Sequence, residues 1–126
     1  MGRAVAVRAL EGSGDLDRFI RLPFRLPDQR TNRVPSLLAD ERELHDPRKN
    51  PQLTHCDAER WIAWRDGVAV GRIMGIIRRS YNETHNEKTA RFYQLDCIRD
   101  AEVVQALIGA VEEWARIKGM DRVIGP

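Results

Sequence analysis

Arg99 and Asp100 stand at a junction whose chemistry suits an anion. The apolar-rich segment Ala90 to Cys97 reads as a strand, and it runs through Arg99-Asp100 straight into an amphipathic helix from Ala101 to Lys118. The first amides of a helix have no intrahelical partner and carry the positive end of its dipole, so this arrangement points free N–H groups at a phosphate. Next to it, Asp96 is a carboxylate, a residue type that can serve as a general base. Its plain alternative is an exposed acid at a strand end. Cys97 is a nucleophile by type only, because no histidine has the local context to activate it. His55-Cys56 and His85 lack the spacing of a zinc motif, and no metal site is expected. Arg78-Arg79 beside Tyr81, with Arg30, Arg33, Arg48 and Lys49, form either a basic patch for phosphate or RNA or a solvated loop surface.

These residues need elements to hold them. Ala4 to Val7 is β-prone, and the turn Gly12-Ser13-Gly14 leads into a helix with Leu16, Phe19 and Ile20 on one face, limited by Pro23 and Pro27. A second short helix is expected from Ser36, with Leu37, Leu38 and Leu44 on its apolar side, before Pro47 and Asn50-Pro51. Arg60 to Trp64 and Val68 to Ile77 flank Asp66-Gly67, whose positive φ suits a tight hairpin turn. The polar run Arg78 to Lys88 reads as a long loop to the strand Ala90 to Cys97, so the three strands form an antiparallel meander. In the helix that follows, Val103, Val104, Leu107, Ile108, Val111, Trp114 and Ile117 recur at helical spacing, with Asp100 as N-cap and Gly119 just past the end. Arg122 to Ile124 is a final strand, parallel to the one before the helix. Trp61 and Trp64 are an odd number of residues apart, which puts one in the core and leaves the other a candidate interface residue.

At 126 residues the chain is long enough for one core, and a single α+β domain over 1–126 is expected. With 42% hydrophobic and 32% charged residues it has an ordinary globular composition. The 21 basic and 19 acidic residues nearly cancel, so net charge gives no argument for a nucleic-acid partner. No run approaches the ~18 apolar residues of a membrane span, and Met1-Gly2-Arg3-Ala4 lacks the apolar core of a signal peptide, so the cytoplasm is the expected address. Cys56 and Cys97 are expected to be free thiols.

The order β-α-α-β-β-β-α-β resembles the front part of the GNAT acetyltransferase superfamily fold. Asn50-Pro51, the hairpin Asp66 to Ile73, Phe92 to Cys97 with Asp100, and Trp114 followed by Lys118-Gly119-Met120 and Gly125-Pro126 resemble a bacterial GNAT-like family of uncharacterised proteins. The resemblance implies an acyl-CoA-dependent N-acyltransferase, with acetyl-CoA or another acyl-CoA where the fourth and fifth strands splay apart. Leu95, Asp96 and Cys97 would then face the pantetheine, and Arg99 with the amides of Ala101, Glu102, Val103 and Val104 would face the phosphates. The superfamily's pyrophosphate loop is Arg or Gln, two residues, Gly, one residue, then Gly or Ala. Here only Arg99 matches, since Glu102 and Val104 stand where small residues belong. Asp100 and Glu102 stabilise the empty helix start and oppose a bound anion. Such domains continue with a helix and two strands, so a partial or inactive enzyme is one expectation. The alternative is a non-catalytic module that forms homodimers through its strand at 120–125.

Overall fold

Asp66 and Gly67 have φ of +53° and +76°, the paired left-handed conformations of a two-residue hairpin turn. They join two long strands at the centre of a five-stranded sheet. The computed structural model describes residues 4–26 and 42–125. Its strands are β1 (Ala6–Ala9), β2 (Cys56–Arg65), β3 (Val68–Arg78), β4 (Thr89–Cys97) and β5 (Arg122–Ile124), in that order across the sheet. Neighbours from β1 to β4 are antiparallel, and β5 runs parallel to β4 after the helical crossover. The fold class is therefore α+β with the expected meander. The helix expected from Ser36 lies largely outside the described residues, and Leu44 near its end is exposed rather than buried.

The helices are α1 (Gly12–Arg21), α2 (Arg79–His85) and α3 (Ala101–Ile117). Helix α3 starts at Asp100, whose extended backbone and side-chain bond to the Glu102 amide make it a true N-cap. It ends in a Schellman motif: Gly119 takes φ +84°, and Met120 N–H donates to Ala115 C=O at 2.8 Å. Its stripe Val103, Leu107, Val111 and Ala115 recurs every fourth residue and is buried. The helix covers one sheet face by packing Val103, Leu107 and Val111 on Trp61, Ala63, Val70 and Ile73, and Ala115 on Ile77 and Ala90, each full burial contributing about 1.5–3 kcal/mol for the larger side chains. Ile117 departs from expectation and is 70% exposed, because the helix ends there and turns its last residue off the sheet.

Helix α1 covers the opposite face with Phe19 and Ile20 against Ile62 and Met74. The two tryptophans of β2 divide as alternation requires. Trp61 meets Trp114 edge-on in the α3 core, and Trp64 packs on the α1 side beneath the guanidinium groups of Arg8 and Arg18. Glycines on β3 permit the close approach of α3: a Cβ on Gly75 would lie 2.8 Å from the Trp114 ring.

The run after β3 corrects the sequence expectation of a long loop. Arg79–His85 is helical, with Asn82 buried and its amide donating to Thr89 C=O at 3.0 Å. Tyr81 and His85 stack one turn apart, and Asn86 adopts the left-handed conformation that stops the helix. Polarity misled here because a short helix needs few buried residues when one amide ties it to the next strand.

Candidate functional site

The strand β5 pairs with β4 for three residues only: Arg122, Val123 and Ile124 face Thr89, Ala90 and Arg91. Among the described residues, β4 from Phe92 onward has no paired β5 partner. Gly125 follows in the same register and lies so close to Phe92 that a Cβ on it would come 2.7 Å from the ring. A side chain there would push the two strands apart or displace the phenyl ring.

Within the same stretch β4 is bulged. Tyr93 faces Met74 and Asp96 faces Arg72, so Gln94 and Leu95 together oppose Ile73. Gln94 absorbs the extra residue with φ +53°. As a result Phe92 and Leu95, three positions apart, both reach the α3 core. Past the bulge, Ile98 N–H donates to Val70 C=O at 3.0 Å. Backbone groups alternate along a strand, so Asp96 turns its own toward β3, and Leu95 and Cys97 turn theirs away from it. Among the described residues, this edge of β4 beyond Arg91 is a notch with no strand beside it.

The notch opens beside the start of α3, whose anion-binding capacity is partly used. Asp100 Oδ1 accepts from the Glu102 amide at 2.9 Å, and its Oδ2 accepts from Arg65 at 2.7 Å. The Arg65 hydrogen bond, then the Glu102 amide, hold this carboxyl below its ordinary pKa. The Val104 amide donates to the Asp100 carbonyl as the first α-helical bond. Arg65, at the end of β2, was not singled out by sequence reasoning. It reaches Glu102 at 3.8 Å, and its Nε is buried without a hydrogen-bond partner. Arg99, Ala101 and Glu102 are exposed at this helix mouth, whereas the Val103 side chain is fully buried in the core. The structure thus brings the expected pantetheine edge and helix start together.

Asp96 is not an exposed strand-end acid. Its Oδ2 accepts from Arg72 Nε at 3.0 Å and Nη2 at 2.9 Å, and Arg72 is 1% exposed. The third nitrogen of that guanidinium donates to Phe19 C=O at 2.9 Å, and the group lies over the Phe19 ring. Asp96 therefore ties β4 to β3 and α1 as the counter-ion of a buried cation, an environment that alternation alone does not reveal. Cys97 is half-buried, and burial first, then Asp96 and Asp100, push its thiol pKa up, away from thiolate chemistry. The basic residues expected to form a patch are individually engaged: Arg78 with Tyr93, Arg79 with Asp57, Arg48 with Asp46 and Lys49 with Glu43. Arg30 and Arg33 lie outside the described residues. Among the described residues, no helix is long and apolar enough to cross a membrane.

No family model matches the chain. It is 35% identical over 120 residues to Protein YghO of Escherichia coli K12, which covers 95% of this chain and 30% of that protein. A bacterial ceramide synthase of Caulobacter vibrioides is 28% identical over 123 residues, covering 97% of this chain and 32% of its own length. The chain spans about a third of the length of these curated relatives. Among solved structures, the aminoglycoside acetyltransferase AAC(6')-Iy with a CoA-containing bisubstrate analogue superposes with a TM-score of 0.67 at 19% identity, over 98% of this chain and 79% of that one. FeeM, an N-acyl amino acid synthase from uncultured soil microbes, gives 0.60 at 14% identity, over 98% and 71%. These likenesses show the fold, which is that of the GNAT acetyltransferases.

Proposed function

We propose that this chain is the front part of an acyl-CoA-dependent N-acyltransferase, with the acyl carrier's pantetheine arm seated in the notch between β4 and β5. The observation that carries the reading is the β4 bulge at Gln94, beyond which the strand turns the backbone of Leu95 and Cys97 away from β3 and runs into the capped start of α3. Bound there, an acyl thioester supplies the electrophile. Arg99 and the exposed start of α3 stand where its phosphates would lie, and Asp100 limits how closely they approach. An attacking amine must shed a proton. Asp96 is this chain's own acid on that strand, although it already serves Arg72. Two solved neighbours, one with a CoA-containing analogue bound and one an N-acyl amino acid synthase, support the reaction class. Calorimetric titration with acetyl-CoA and a longer acyl-CoA tests it: saturable heat supports the reading, and no binding at millimolar ligand removes it.

A second reading, homodimerisation through the strand at 120–125, is favoured by one observation. Among the described residues β5 has a single neighbour, β4, and its outer edge has no strand beside it. Light scattering on the wild type and Val123→Lys tests this, and a monomeric wild type refutes it.

A further inference from the structure

Gln94 carries a side chain and yet holds φ +53° at the β4 bulge. A residue with a Cβ keeps that conformation only where its surroundings over-determine it. No chain reversal requires it, since β4 continues through Asp96 and Cys97 in pairing with β3. The group that holds it lies on the sheet face opposite α3. His45, from the segment ahead of β2, is 5% exposed and meets the Phe19 ring edge-on. Its Nδ1 accepts from Arg60 Nε at 2.6 Å, which assigns the ring proton to Nε2. The Gln94 side chain hydrogen-bonds the same ring, and with Nδ1 occupied its amide oxygen accepts from Nε2–H. Burial first and the charge of Arg60 next lower the His45 pKa to about 4, so near pH 7 the ring has one acceptor for Arg60 and one donor for Gln94. The imidazole thus links the middle of β2 to the extra residue of β4.

The bulge decides what β4 presents at its far end. Without the extra residue Leu95 would oppose Arg72 and Asp96 would oppose Gly71, and every later backbone group would reverse its direction. Leu95 would leave the α3 core, and Asp96 its ion pair with Arg72. Those two contacts fix the strand beyond the bulge, whereas His45 acts on the extra residue itself. Resting on the acyltransferase reading, we propose that His45 is a positioning residue for the acyl carrier: by holding Gln94 it keeps the left-handed bulge that aims the backbone of Leu95 and Cys97 away from β3 and toward the carrier arm. His45 and the Gln94 side chain lie beside Leu53, Met74 and Ile76, on the other side of the sheet from Val103 and Leu107. Changing either side chain therefore removes no group from the notch.

The test compares Gln94→Ala with Gln94→Gly. Both cut the link to His45, but only glycine takes a positive φ as readily as a negative one. Calorimetry with acetyl-CoA is expected to show affinity lowered about tenfold by alanine and kept within about twofold of wild type by glycine. His45→Asn keeps an oxygen where Nδ1 accepts from Arg60 but is too short to reach Gln94. Its affinity is expected to fall about tenfold and to return when Gln94→Gly is added, a rescue that a merely space-filling histidine does not predict. The three-bond coupling between the amide proton and Hα of residue 94 reports φ without any ligand, and it is expected to leave its wild-type value in Gln94→Ala and His45→Asn. The comparison of alanine with glycine decides alone if His45→Asn does not fold. Equal, measurable affinities of Gln94→Ala and Gln94→Gly overturn the proposal, as does wild-type affinity in His45→Asn. Changed couplings with no acetyl-CoA binding by the wild type keep the assignment of His45 to the bulge and remove the acyltransferase reading, and acetyl-CoA binding with unchanged couplings does the reverse.

Discussion

Replacing Asp96 by asparagine separates a structural carboxylate from a catalytic one. The substitution keeps shape and removes the charge that faces Arg72, a guanidinium 1% exposed and bound through two nitrogens to a single Asp96 oxygen. Removing one partner of a buried ion pair typically costs about 3–5 kcal/mol, because the survivor is left charged and undersolvated. Arg72 retains the Phe19 carbonyl and ring, which places the expected loss at the low end, about 3 kcal/mol. For a chain of this size that corresponds to a melting temperature lower by about 12 °C. Urea denaturation followed by circular dichroism measures the loss directly. The double replacement Arg72→Met with Asp96→Leu removes both charges and is expected to recover much of it. A loss below about 1 kcal/mol for Asp96→Asn would refute the counter-ion assignment. Acyl transfer abolished in a variant of unchanged stability would return Asp96 to the role of general base.

Three further outcomes follow from the same geometry. Asp100→Asn keeps a good N-cap and removes the carboxylate from the α3 start, so affinity for CoA is expected to rise roughly two- to fivefold by calorimetry, with affinity for pantetheine unchanged. His45 binds its proton less readily folded, at about 4, than unfolded, at 6.5. Its contribution to stability is therefore flat above pH 6.5 and declines as pH falls toward 4, by at most about 1.4 kcal/mol per pH unit; urea midpoints across this range should show a slope that His45→Phe lacks. Gly75→Ala drives a methyl to 2.8 Å from Trp114 and 3.2 Å from Trp61, rigid rings that cannot both yield, and should cost about 1–3 kcal/mol in chemical denaturation.

Much of this architecture is visible in local sequence. Asp66-Gly67 announced its hairpin because two consecutive left-handed residues are a local demand, and Asp100 and Gly119 bracket α3 for the same reason. The parallel placement of β5 follows from the helical crossover. What escaped was non-local. Nothing next to Arg72 in the sequence marks it as buried, because Asp96 and the Phe19 carbonyl close around it from distant segments. Arg65 and His45 gain their roles only when β2 brings Arg65 to the α3 start and Arg60 to the imidazole ring. The β4 bulge at Gln94 carries no glycine to signal it, and it changes which residues face the core. The long polar run after β3 failed differently, since the seven residues of α2 fold around Asn82 without the apolar stripe that marks longer helices.

The notch itself is tested most directly by backbone amide NMR during titration with CoA and with pantetheine. A carrier arm paired to the open edge of β4 should move the Leu95 and Cys97 amide resonances with either ligand, and those of Ala101 and Glu102 with CoA alone. Saturating ligand that leaves Leu95 and Cys97 unmoved, or that shifts residues remote from the end of β4 instead, would contradict the account.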